Sequence, residues 1–238
     1  MNSIKATART TGLLYLIMFI TAPLSILLVS ANLIVPGDAA TTANNIMASE
    51  GIFRLGIAGH LVVLLLDLGI SVLLYVILKP VNKTLALIAM VSRLVMTAMR
   101  GINLLNYFIV LQLLNGAGFL SVFDTNQINA LVMVFLNAFD KGFSLDLVFF
   151  SLHLFFVGYL VYKSGFFPKI LGILLLIAFA GYFTDSLTGI LFPDFKQMVS
   201  SIVMIPNTLA ELAFTLWLLI KGVNVEKWEK HVKESIKA

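Results

Sequence analysis

Six stretches of the chain are apolar for long enough to cross a bilayer: residues 11–34, 54–78, 84–113, 142–162, 169–191 and 198–220. Each reaches the roughly 20 residues that a helix rising ~1.5 Å per residue needs to span the hydrocarbon. The pattern predicts an all-α fold, a polytopic integral membrane bundle of six transmembrane helices. It forms one domain over 1–238, with 221–238 as a charged tail. Two segments interrupt the alternation. Residues 37–50 are polar, and Asp38 is placed to cap a short helix there. Residues 126–141 set Ile128, Leu131, Val132, Phe135 and Phe139 at helical spacing opposite Asn126, Asn129, Asn137 and Asp140. That suits a helix lying in the outer interface, with a break or kink near Gly142. The alternative, one helix from 128 to 162, is about 52 Å long and would have to tilt.

Charge at the ends of the spans sets orientation. Lys5 and Arg9 precede the first span, Lys79 and Lys83 bracket the turn after the second, and Lys163 and Lys169 that after the fourth. Lys221, Lys227, Lys230, Lys233 and Lys237 follow the sixth, whereas the opposite loops hold Arg54 and Lys196 near their ends. Basic residues mark the cytoplasmic side, so both termini are expected inside (N-in/C-in). The first apolar run exceeds the ~7–15 residues of a signal-peptide core and is read as a retained helix.

Composition agrees with the pattern. The chain of 238 residues is 60% hydrophobic and 12% charged, against roughly 25% charged in soluble domains. It has no cysteine, which removes disulfides and thiolate chemistry. The net charge of +4 comes from lysines at span ends rather than from a patch, so no nucleic-acid partner is expected. The expected partner is membrane lipid, with a small molecule, ion or proton as ligand. The oligomeric state is not legible.

Within the spans, ionisable residues recur seven apart: His60 and Asp67, Arg93 and Arg100, Asp146 and His153. Seven residues is nearly two turns, about 10.5 Å along one helix face. Such groups are costly in lipid and belong in a protein interior or a water-filled cavity with partners. Counting residues from the basic anchors sorts them by height. Asp67, Arg93, His153 and Glu211 fall about 15–18 Å from that side, and His60, Arg100, Asp146 and Asp185 about 24–28 Å. Arg93 is expected to contact Asp67 or Glu211, and Arg100 to contact Asp146 or Asp185. Each layer sums to −1 with neutral histidine, which calls for a proton or a cation. Protonation of His60 and His153 near neutral pH is one expected source.

These eight residues are the candidate ligand, ion or proton pathway. Ser71, Tyr75, Asn103, Tyr107 and Thr215 extend the same stripes, and Pro23 and Pro206 sit where a span can kink. Sites for catalysis are poorly supported. There is no HExxH, GxSxG, phosphate loop or Walker motif. A ceramidase-like zinc site wants about three histidines, and only His60 and His153 lie within spans, with His231 in the tail. No cofactor is predicted, and metal ligands are not identifiable. The preferred function is binding or transport of an ion, proton, lipid or small solute through the polar core. The alternatives are a membrane-embedded enzyme acting on a lipid-soluble substrate and a structural partner subunit.

The offsets from Gly56 to His60 and Asp67 match those from Gly142 to Asp146 and His153. That is consistent with two related hairpins, although chance similarity in apolar sequence explains it more simply. Finally, GDAATTANNIMASEGIFRLGI (37–57), LYVILKPVNK (74–83), FFSLHLFFVGYLVYKSGFFPKILGILL (149–175) and ELAFTLWLLIKGVN (211–224) resemble the bacterial domain-of-unknown-function 4386 family of membrane proteins. The resemblance covers nearly the whole chain. It implies a single-domain, multi-span protein of the bacterial cytoplasmic (inner) membrane and carries over no catalytic residues.

Overall fold

Backbone groups that cannot reach water must bond within the chain, and helices are the local way to do so. The computed structural model describes residues 4–237, with the last two by backbone alone. The extreme ends of the expected domain, residues 1–3 and 238, lie outside it. Among the described residues there are nine α-helices and no strand. They are α1 (Ile4–Ile26), α2 (Ala39–Ala48), α3 (Glu50–Leu78), α4 (Lys83–Asn103), α5 (Leu105–Leu114), α6 (Thr125–Lys163), α7 (Lys169–Leu191), α8 (Lys196–Ile220) and α9 (Val225–Lys237). Six helical stretches are long and apolar enough to span a membrane: Ile4–Ala31, Glu50–Leu78, Lys83–Leu114, Thr125–Lys163, Lys169–Leu191 and Pro193–Ile220. The molecule is a multi-pass membrane protein.

Local chemistry explains the helix ends and irregularities. Asp38 caps α2, its carboxylate accepting from Thr41 N–H at 2.9 Å and Thr41 Oγ1 at 2.7 Å. Those bonds, the backbone one foremost, hold the Asp38 carboxyl below the usual range. Pro23 deletes one N–H from α1, and the next turn re-registers as a π-helical segment, Leu27–Ala31.

One expectation is overturned. α6 runs unbroken through Gly142 for 39 residues, so there is neither a separate interface helix over 126–141 nor a break. The interruption lies in the third span, at Leu104. Asn106 Nδ2 donates to the Asn103 carbonyl at 2.9 Å, and Tyr107 N–H turns back to Leu104 O at 3.1 Å. Asn103 Nδ2 in turn donates to Phe139 O on α6 at 2.7 Å. A Cβ on Gly142 would collide with the Asn103 amide. The glycine is therefore a point of close approach, not a hinge.

The chain forms two compact units. Unit 1 takes the residues up to Ile17, Leu66–Ala98 and everything from Ser144 onward, and unit 2 takes Met18–Leu65 and Met99–Phe143. In unit 1, α6 and α7 cross at Gly158 and Gly172, and Gly12 of α1 lies against Leu219 of α8. Unit 2 packs Val29, Phe53, Tyr107, Val132 and Phe139 into one apolar cluster. The charged tail forms α9 within unit 1, where Trp228 Nε1–H donates to Ile77 O at 2.9 Å, while Glu226, Lys227, Glu229, Lys230, Lys233 and Glu234 stay exposed.

Candidate functional site

The polar centre of unit 1 is built around Arg93, which is 0% exposed on α4. Its Nε and Nη2 both donate to Asp67 Oδ1 on α3, at 2.9 and 2.6 Å. Its Nη1 donates to Tyr15 OH on α1 at 2.6 Å and to His153 Nε2 on α6 at 3.1 Å. The guanidinium also lies 5.0 Å from the Tyr15 ring centroid and 5.5 Å from that of Phe150. Stacking of this kind suits a planar, weakly hydrated cation in a desolvated place. Glu211 of α8 acts electrostatically on both Arg93 and Tyr15. Its Oε1 accepts from Tyr182 OH of α7 at 2.6 Å. Every one of the six spans thus contributes to one group.

Hydrogen bonding settles the state of His153. Arginine has only donors, so His153 Nε2 must accept, and Nδ1–H then donates to Ala89 O at 2.8 Å. The imidazole is held as the neutral Nδ1–H tautomer, because a second proton would set two donors face to face. The sequence expectation that His153 charges near neutrality is corrected accordingly. Two carboxylates, one guanidinium and a neutral imidazole leave the group at a formal −1.

One atom stands out. Asp67 is 1% exposed, yet its Oδ2 has no hydrogen-bond partner, because both arginine bonds fall on Oδ1. A buried carboxylate oxygen without a donor is expensive.

Of the eight residues singled out by sequence, Asp67, Arg93 and His153 touch, and Glu211 acts on Arg93 from the same unit. The other four lie elsewhere. Asp185 of α7 binds Lys196 Nζ and Ser200 Oγ at the start of α8. Lys196 follows the short connection between α7 and α8, which turns its side chain back onto Asp185. Asp146 is fully buried on α6. In unit 2, the His60 ring lies 5.4 Å from Phe139 and 6.0 Å from Tyr107. The charge that acts on His60 is that of Arg100, not of a carboxylate. Arg100 is half-buried, with its guanidinium 4.6 Å from the Phe143 ring. Tyr15 and Tyr182 escaped the sequence reading. Their signal was position, since tyrosine favours the interface and both lie well inside spans.

A family model described as Domain of unknown function (DUF4386) matches residues 10–222. The chain belongs to this family. The match takes in every residue of the Arg93 centre and ends before α9. An uncharacterized protein of Archaeoglobus fulgidus is 33% identical over 167 residues, covering 70% of this chain and 83% of that protein. No solved structure matches. The DUF4386 family therefore has a relative in an archaeon, and it assigns no role to the Arg93 centre, whose chemistry rests on the geometry above.

Proposed function

We propose that this protein binds and relays a proton at the Arg93 centre. The reading rests on Asp67 Oδ2, which is buried, unpartnered and part of a group of formal charge −1. A proton taken up by that group brings it to neutrality without needing space. The hydrogen bonds spanning the centre are 2.6–3.1 Å long, which favours a proton over any solute. Among the described residues no three His, Asp or Glu side chains converge as metal ligands do, which weighs against a divalent cation. Intramembrane carboxylates with histidine and tyrosine neighbours are recurrent parts of proton relays. Infrared difference spectra across a pH step test this. The carbonyl stretch of a protonated carboxylic acid is expected, and Asp67→Asn or Glu211→Gln should remove it. If neither substitution alters the spectrum, the proposal fails. The second reading, a structural core, then stands, and it is favoured by the number of Arg93 donors already engaged.

We also propose that the protein is a single domain of the bacterial cytoplasmic membrane with both termini inside, on the strength of the lysines at the ends of the spans. The chain has no native cysteine, so Asn82→Cys gives a clean probe. Labelling of that thiol by an impermeant maleimide in whole cells would reverse the orientation.

A further inference from the structure

The geometry points to a binding groove for one anionic phospholipid between the α3–α4 turn and α9, at Lys79, Lys83 and Trp228. A groove of about 900 Å³ opens there, lined among others by Tyr75, Lys79, Lys83, Trp228, His231 and Ser235. Its far wall is held in place, not loosely apposed. Trp228 Nε1–H is bonded to Ile77 O, and the His231 ring lies edge-on to Phe166 at 5.8 Å. Asn224 caps α9 through Lys227 N–H at 3.1 Å.

The charge of the groove selects an anion. Lys79 and Lys83 are exposed and form no ion pair with any described residue. The acid in the groove, Glu234, lies 4.0 Å from Lys230 and is partly offset by it. The first turn of α4 adds its positive end, with Asn82 Oδ1 accepting from Leu85 N–H at 2.9 Å.

The surfaces that run away from the groove make the occupant a lipid and not a free anion. On α4, Leu87 and Val91 follow Lys83 at four-residue steps on the same face, and they are 43% and 46% exposed. On α3, Val72 and Leu68 lie seven and eleven residues before Lys79, again on its face, and are 49% and 44% exposed. Two apolar stripes, each topped by an unpaired lysine, thus converge on the groove. A phosphodiester headgroup fits between the lysines, with acyl chains lying along the stripes. The groove is separate from the Arg93 centre, and its assignment does not depend on how that centre works.

The chain has only two tryptophans, so Trp217→Phe leaves Trp228 as the sole reporter. In nanodiscs of phosphatidylcholine, brominated phosphatidylglycerol should quench Trp228 at a much lower mole fraction than brominated phosphatidylcholine does. K79Q/K83Q should raise the phosphatidylglycerol fraction needed by about thirtyfold, from about fivefold for each lysine. K79R/K83R should keep the preference, as should K221Q/K227Q, which leaves both groove lysines in place. Equal quenching by the two lipids overturns the assignment, as does a preference that survives K79Q/K83Q. Protection of Trp228 by inorganic phosphate at the same concentration as the lipid also overturns it, in favour of a free-anion site.

Discussion

Arg93→Leu is expected to lower unfolding stability in detergent by about 3–5 kcal/mol, because it leaves buried carboxylates without their cation. Asp67 is 1% exposed, and its Oδ1 accepts from both Nε and Nη2 of Arg93. Glu211 loses the same positive charge. The size of the loss separates two accounts. A hydrogen bond between neutral side chains in a membrane bundle is worth only ~0.6–2 kcal/mol, so a small loss would mean that the carboxylates already carry protons. The double substitution Arg93→Leu/Asp67→Leu should recover much of the loss, since it removes the orphaned charge along with the cation. Unfolding titrations in a mixed-micelle denaturant measure all three variants. If the double variant is less stable than Arg93→Leu alone, the buried pair is not what the loss reports.

Gly172→Val should destabilise the α6–α7 contact by about 1–3 kcal/mol or more, the range for an overpacked site. A Cβ at Gly172 would stand 2.6 Å from Gly158 O, 2.6 Å from Tyr162 N and 2.7 Å from Tyr162 Cβ. Two of those atoms are backbone, so relief requires the helices to part. Parting them would also disturb the group that holds His153 on α6 and Tyr182 on α7. Gly51→Ala is the contrast, because nothing lies within 4 Å of its would-be Cβ. It should be neutral or gain up to about 1 kcal/mol from helix propensity. Equal unfolding midpoints for Gly172→Val and the parent chain would show that the crossing is looser than its geometry.

The grouping of Asp67, Arg93 and Glu211 was legible because height in a membrane helix follows from counting. Each residue advances ~1.5 Å, and the lysines mark where counting starts. His153 fell at the same height, but its protonation was misjudged, since a count cannot say whether its neighbour is a donor or an acceptor. The placement of Arg93 Nη1 at Nε2 decided that. Height also failed to pair Asp185. Lys196 lies eleven residues on and reaches it by a turn whose path no periodicity records.

By itself the sequence determined the all-helical class, the six stretches long and apolar enough to cross a membrane, the cap at Asp38 and the grouping of Asp67, Arg93 and Glu211. All of these depend on hydropathy, spacing and local hydrogen bonding, which act along one helix at a time. Only the tertiary structure decided the lateral contacts: Tyr15 against Arg93, Asn103 in the space left by Gly142, Lys196 on Asp185, and Trp228 on the end of α3. The continuity of α6 belongs with these, because Gly142 carries one signal for a break and for a close crossing. Which of them it means depends on the helix beside it, and a residue's own neighbours in the chain do not specify that partner.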